Sequence, residues 1–291
     1  MGRLVFFTNR SNLGSARCRG TEIAERIGVP CDPPFSEVQP DDTIVMVKKV
    51  YDEAVRRAKN FYCDVVDGMD FQADWNKLKV NGRIKVLTMT PESAAYAKKT
   101  FVPKHECGWT PHTHPNNENI VRPLNREVKR IIYNGTDAGF PKHYWNEFAE
   151  KAKAQGFEAL RNHTIPIRND RSSNRQRCCD MYLDSDIVVA FRRDLKVNPL
   201  FHMEMKSTTK LNTAASFCIP FVAFPEPGFH ANCGYESVYV PVNTIDEMVA
   251  ACVRLREDRE HYEDIAIRSW KIAQHFHIDE VVKHYLKLLE D

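Results

Sequence analysis

The sequence contains no apolar run near the roughly 20 residues that a bilayer-spanning helix needs, so no transmembrane segment is expected. Charge of one sign is also missing: 41 Lys and Arg face 39 Asp and Glu, a formal net charge of +2. The overall balance therefore does not point to a nucleic-acid partner, although local clusters still can. The nine cysteines have no regular spacing and no secretory-type leader opens the chain. Reduced thiols in a cytoplasmic protein are the expectation. No G-x-G-x-x-G fingerprint follows any expected strand, which argues against a nicotinamide enzyme. Low-complexity tracts are missing, as are internal repeats beyond two halves of similar rhythm.

What is present is an alternation of short apolar runs and helical stretches over 291 residues, a length that suits two domains with separate cores. Leu4 to Thr8 reads as a strand, followed by a turn-rich loop and a helix from Ala16 to Ile27 that Gly28 ends. Arg17 and Arg19 fall in that helix's first turn, where they can reach an anionic ligand or stay solvated. Strands follow over 43–47, 63–66 and 84–88, with helices over 51–60 and after Pro91. Such a rhythm implies a mostly parallel sheet covered on both faces. Asp67 and Asp70 then stand at a strand's carboxyl end, where either can act as a general base or cap a turn.

Residues 101–125 break the rhythm with four prolines and no periodicity, as a loop and inter-domain linker. His105, Cys107, His112 and His114 lie within it, but their spacing matches no common structural zinc site. No metal is expected. A second α/β half opens with a strand over 128–133 and a glycine loop, Asn134-Gly135-Thr136-Asp137-Ala138-Gly139, whose glycines let backbone approach a ligand. Helix 142–155, strand 157–161 and strand 187–191 follow. Residues 168–177, RNDRSSNRQR, are either a solvated loop or a phosphate-contacting surface. A last strand over 237–242 precedes a helix whose Thr244 and Glu247 form a capping box. Further helices over 261–276 and 278–290 close the chain.

The stretch HMEMKSTTKLNTAASFCIPFVAFPEPG, residues 202–228, carries the most chemistry. A helix starting near Ser207 or Thr208 exposes N–H groups and hydroxyls between Lys206 and Lys210, a suitable pocket for a diphosphate. By chemistry alone this is equally a capped helix entering a sheet, with Ile219 to Phe224 as the buried strand. The stretch resembles the diphosphate site in the C-terminal domain of GT-B glycosyltransferases, through Lys206-Ser207-Thr208-Thr209-Lys210-Leu211 and Ile219-Pro220-Phe221-Val222-Ala223. Tyr182-Leu183-Asp184-Ser185-Asp186-Ile187-Val188-Val189-Ala190 and the Ser15–Ala24 stretch are similar to further segments of that family. Two positions depart from it. Cys218 stands where the family usually has Gly, and Asn212, separated from Glu204 by seven residues, stands where retaining members carry a second Glu.

The resemblance implies two Rossmann-like α/β domains with a cleft between them. They would be an acceptor domain over 1–120, a nucleotide-sugar domain over 121–275 and a terminal helix, 276–291, packed back on the first domain. It implies transfer of a sugar from a nucleoside diphosphate sugar, UDP-linked in the favoured case, to an acceptor hydroxyl. That acceptor is a small molecule, a glycan, a protein or a hydroxymethylated DNA base. Donor contacts would come from Arg17, Gly135, Thr136, Arg192, Lys206, Ser207, Thr208, Thr209, Lys210 and Asn212. Asp67 and Glu204 are the catalytic candidates. Helix dipole and basic side chains would replace a metal at the departing diphosphate, with no other cofactor. A sugar-nucleotide epimerase of the same fold and a non-catalytic nucleotide- or nucleic-acid-binding protein remain alternatives.

Overall fold

Alternating side chains along four adjacent strands explain the first unit. Val5, Phe7, Ile44, Met46, Phe61, Cys63 and Val86 point into one buried cluster, while Leu4, Phe6, Val45, Tyr62 and Leu87 point into another. A strand buried on both faces needs a layer of helices on each. The structure, a computed structural model, describes residues 2–8, 14–66, 72–81, 83–124, 126–162, 171–193, 203–233 and 238–290. By internal contacts it divides into two units, Met1–Thr113 with Val197–Thr208 and Ile278–Asp291, and His114–Lys196 with Thr209–His277.

The first unit runs β1 (Leu4–Phe7), α1 (Gly14–Ala16), a π-helical turn over Arg17–Thr21, α2 (Glu22–Ile27), β2 (Thr43–Val47), α3 (Asp52–Arg57), β3 (Asn60–Asp64), α4 (Gln72–Val80), β4 (Lys85–Thr88), α5 (Pro91–Thr100) and β5 (Cys107–Trp109). Its sheet is β1-β2-β3-β4-β5, parallel throughout. An isolated parallel bridge from Phe6 to Cys31 adds a contact on the far side of β1. Gly28 ends α2 with φ 80°, the left-handed conformation that glycine adopts without a Cβ clash. Thr90 and Ser93 cap α5 reciprocally and Pro91 occupies its first turn.

The second unit runs β6 (Arg130–Asn134), α6 (Lys142–Ala154), β7 (Glu158–Asn162), α7 (Arg171–Leu183), β8 (Ile187–Ala190), α8 (Thr209–Ser216), β9 (Phe221–Ala223), α9 (Pro227–Cys233), β10 (Val240–Pro241), α10 (Ile245–Glu257) and α11 (Arg259–Ala273). Its parallel sheet has the order β10-β9-β8-β6-β7. The chain leaves β6 toward β7 and then returns to the other side, so β6 and β8 flank a topological switch point. Ligands in open α/β sheets bind beyond the carboxyl ends of such strands. Helix α12 (Ile278–Leu286) belongs to the first unit, where Ile278, Val281 and Tyr285 bury against Leu4, Phe6 and Ile23. No helix among the described residues is long and apolar enough to cross a membrane.

Several expected bounds are corrected. The helix expected over 51–60 stops at Arg57, because Asn60 already pairs with Thr43 as the first residue of β3. The linker 101–125 contains a strand, β5, paired with β4. The arginine-rich stretch expected as a loop is helical from Arg171, and its residues 168–170 lie outside the described residues. Of the strand expected over 237–242, residue 237 lies outside the described residues, and among 238–242 only Val240–Pro241 is strand, at the sheet edge. Thr244 caps α10, accepting from the Glu247 amide at 3.1 Å, but the expected capping box is displaced by one residue: Glu247 Oε2 accepts from the Asn243 amide, at 2.6 Å. The helix-to-strand turn at Cys218 keeps the backbone that glycine favours, since Cys218 itself has φ 60°.

Candidate functional site

Three cationic side chains of the second unit gather around one buried phenol at the carboxyl edge of β6. Tyr133, the fourth residue of β6, is fully buried and donates its hydroxyl hydrogen to the Thr136 carbonyl at 2.6 Å. Burial raises this phenol's pKa, outweighing the opposing pull of Arg192 and Arg161, and so keeps it a donor. The charged ends of Arg161 and Lys210 lie over its ring. Arg161 Cζ stands 5.4 Å from the centroid and Lys210 Nζ stands 5.9 Å from it.

The glycine loop wraps tightly over that phenol. A Cβ at Gly135 would come within 2.5 Å of Tyr133 Oη, and one at Gly139 would overlap the same oxygen. Only glycine allows the backbone this close. The point where a Gly139 Cβ would stand is also 3.5 Å from Arg192 Nη2 and 3.5 Å from Lys210 Nζ. Two cations thus meet at the glycine loop beside the Tyr133 hydroxyl, next to the switch point, and charges of that sign attract an anion. Arg161 holds the loop from the other side, with Nη2 donating to Asp137 Oδ1 at 2.6 Å and to the Phe140 carbonyl at 2.7 Å. Its guanidinium also packs on Trp145, 5.7 Å from the ring centroid.

Arg192, just past β8, is anchored by Glu226, which follows β9. Nη1 donates to Glu226 Oε2 at 2.7 Å, and the two side chains are 10% and 2% exposed. The neighbouring Arg193 turns outward and donates to the Asn243 carbonyl at 3.3 Å. Within α8, Thr209 is the first residue, Lys210 reaches the loop, and Asn212 is buried. Gly135, Thr136, Arg192, Thr209, Lys210 and Asn212 therefore all belong to this unit.

The other sequence-expected residues belong to the first unit. Lys206, Ser207 and Thr208 end its segment Val197–Thr208, immediately before the chain passes into α8. The Lys206 amide donates to the Met203 carbonyl at 3.1 Å, and Thr208 is fully buried. Glu204 is exposed on a 3-10 turn over Met203–Met205. Arg17 pairs with Glu22 at 3.0 Å. Asp67 and Asp70 lie outside the described residues. Tyr133, Arg161 and Glu226 carry no motif in the sequence. Their one signal was position, since each ends or follows a strand of the second half.

Arg19, expected as ligand-facing or solvated, is wholly buried instead. Its Nε donates to Asp64 Oδ2 at 2.6 Å, and Nη1 donates to the Thr110 and Pro111 carbonyls at 2.9 and 3.0 Å. Nη2 reaches the Thr88 carbonyl at 3.3 Å and the Thr110 hydroxyl. Tyr285 of α12 donates to the same Asp64 oxygen at 3.1 Å. Among the four His and Cys residues of the 105–114 stretch, His105 Nδ1 bonds the Ile84 carbonyl at 2.7 Å and His112 Nδ1 the Thr113 carbonyl at 2.9 Å. His114 is buried, and that burial together with His277 pushes its pKa down to about 3. Among the described residues no group of three or more His, Cys, Asp or Glu could hold a metal ion.

Comparison with known proteins places this architecture. No family model matches the sequence, and neither does any curated protein. Solved structures do match the fold. HepE from Anabaena, solved in complex with UDP and glucose, has a TM-score of 0.63 at 10% identity, with 100% of each chain covered. A single-residue mutant of S. aureus TarM, solved with fondaparinux, alpha-GlcNAc-glycerol and UDP, has a TM-score of 0.61 at 11% identity, covering 85% of this chain and 55% of that one. The trehalose-6-phosphate synthase OtsA has a TM-score of 0.55 at 11% identity, covering 88% and 74%. The chain spans a little over half of the TarM chain and 58% of the chain matched in the GtfA/B complex. The shared architecture is the GT-B fold, two Rossmann-like units each built on a parallel sheet.

Proposed function

We propose that this chain is a glycosyltransferase that takes a sugar from a nucleoside diphosphate sugar, UDP-linked in the favoured case. The observation that carries the reading is the convergence of Arg192 Nη2 and Lys210 Nζ over Gly139, at the switch point of the second sheet. Sugar transfer expels a nucleoside diphosphate, so charge develops on its phosphate oxygens in the transition state. Preorganised donors aimed at that charge are the main catalytic contribution a protein can make. Arg192, Lys210 and the N-terminus of α8 supply such donors, so that no metal ion is required for leaving-group departure. HepE and TarM were both solved with UDP, which supports UDP as the first ligand to test.

The acceptor hydroxyl needs a base if configuration inverts, a role for Asp67; in a retaining reaction Glu204 and the phosphate itself matter more. A small molecule or glycan is the favoured acceptor class over a hydroxymethylated DNA base. Within the arginine-rich stretch, Arg175 is engaged by Glu118 at 2.5 Å and donates to the Pro115 carbonyl at 3.0 Å, leaving one cation fewer for phosphates. Transfer to DNA would fall steeply between low and moderate salt, whereas transfer to a neutral sugar would change little.

Thermal melting of the wild type and of Lys210→Ala with a panel of nucleoside diphosphates tests the donor site. A ligand that binds the native state raises the melting temperature by mass action. UDP is expected to stabilise the wild type and to lose that effect in Lys210→Ala. If no nucleoside diphosphate at millimolar concentration stabilises the wild type, the reading fails. Stabilisation by UDP-sugars with no release of UDP on any acceptor would instead favour a non-catalytic nucleotide-binding protein.

A further inference from the structure

We infer that Glu226 is a positioning residue that aims Arg192 at the anion over the glycine loop. The inference rests on the donor-site reading above and names a residue that neither the motifs nor the comparisons assign. Glu226 is 2% exposed and follows β9, in the turn Phe224-Pro225-Glu226-Pro227. Its Oε2 takes Nη1 of Arg192 at 2.7 Å, and the opposite nitrogen, Nη2, is the one turned toward Gly139. The guanidinium is a planar fork, so fixing one nitrogen fixes the direction of the other. An exposed arginine must lose the freedom of a long side chain when it grips a ligand; here that loss has already occurred in the folded protein. Prolines on both sides of Glu226 hold its backbone, since each restricts φ and the residue before it.

A carboxylate next to an anion site also repels the anion, and the two effects can be separated. Glu226→Gln keeps an oxygen that can accept from Arg192 but removes the negative charge. Glu226→Ala removes both. If Glu226 aims Arg192, the two substitutions act in opposite directions: Gln binds UDP as tightly as wild type or tighter, and Ala binds it roughly three- to tenfold more weakly.

The experiment is isothermal titration of wild type, Glu226→Gln, Glu226→Ala, Arg192→Ala and the Glu226→Ala/Arg192→Ala double variant. UDP, inorganic pyrophosphate and uridine are the three probes, and melting curves monitor folding. The expected result has UDP and pyrophosphate weakened together in Glu226→Ala and uridine unchanged. In the Arg192→Ala background, Glu226→Ala has no further weakening effect, because the side chain it aims is gone. Tighter anion binding in both Glu226 variants would mean that the carboxylate acts only by its charge, and equal weakening of uridine would mean that it only supports the fold. Either result overturns the inference. If wild type binds pyrophosphate but not UDP, the donor reading falls while the pyrophosphate series still decides the role of Glu226; if it binds neither, both fall.

Discussion

Arg19 and Arg192 occupy comparable places, each beside the carboxyl edge of a parallel sheet, and they do opposite things. Arg19 directs all of its guanidinium nitrogens at acceptors of its own unit: Asp64 at the end of β3, Thr88 at the end of β4, and Thr110 and Pro111 after β5. It is 0% exposed, as is Asp64. Arg192 gives one nitrogen to Glu226 and turns the other toward the glycine loop beside the Tyr133 hydroxyl, with Lys210 approaching the same point. An arginine at a strand's carboxyl edge is therefore not a ligand contact by position alone. What separates the two is whether protein acceptors surround the guanidinium. The first unit fills this edge with its own polar network, and Tyr285 of α12 joins it through Asp64. The second unit turns donors toward its glycine loop.

The largest expected effect tests the buried half of that contrast. Arg19→Ala leaves the Asp64 carboxylate buried without its partner, and breaking such a pair costs about 3–5 kcal/mol. Urea denaturation near neutral pH should show a loss of that size; a loss below about 1 kcal/mol would mean the pair behaves like a surface one. Lys210→Ala should do the reverse. It is expected to weaken UDP about tenfold or more, as for a lost hydrogen bond to a charged group, and to leave the urea midpoint close to wild type. Equal losses of stability in both variants would erase the distinction between the buried network around Arg19 and the cations at the glycine loop.

Gly139→Ala sharpens the comparison at the loop itself. Its Cβ would meet Tyr133 Oη, and overpacking of this kind costs roughly 1–3 kcal/mol. Adding Tyr133→Phe removes the clashing oxygen, so the double variant should melt higher than Gly139→Ala alone. A double variant that melts lower would show that the Tyr133 bond to Thr136 matters more than the space. The smallest effect is expected at Cys218. Cys218→Gly relieves a left-handed backbone worth about 1–2 kcal/mol but loses a buried side chain of similar worth, so stability should change by less than about 1 kcal/mol. Cys218→Ala keeps the strain and loses the sulfur, and should be the less stable of the two. Burial pushes the Cys218 thiol up to about 11, so blocking with a thiol reagent near neutral pH should be slow.

Some of this was legible because the signals are local. Leu4–Phe7 and Thr43–Val47 are apolar runs of strand length, Pro91 and Thr244 start helices by their own chemistry, and Gly28 ends one. The glycine loop and Lys210 could be picked out because glycine and lysine carry their chemistry wherever they are put. Other features were not legible. Three residues of β5 are a strand only because β4 offers them partners, and Asn60 leaves the expected helix because Thr43 pairs with it. The arginine-rich stretch looked solvated, yet its helix buries Cys179 and Tyr182 on one face and lends Arg175 to Glu118.

By itself the sequence determined an alternating α/β chain with two similar halves and a helix starting near Lys210, because periodicity, caps and turn residues act over a few positions. Tertiary structure alone decided which cations are enclosed by protein acceptors and which approach the glycine loop. Arg19 finds its acceptors 45 to 92 residues away, and Glu226 finds Arg192 across 34 residues. Whether a charge is satisfied depends on those distant partners, and folding brings them together through sheet order, not through any local preference.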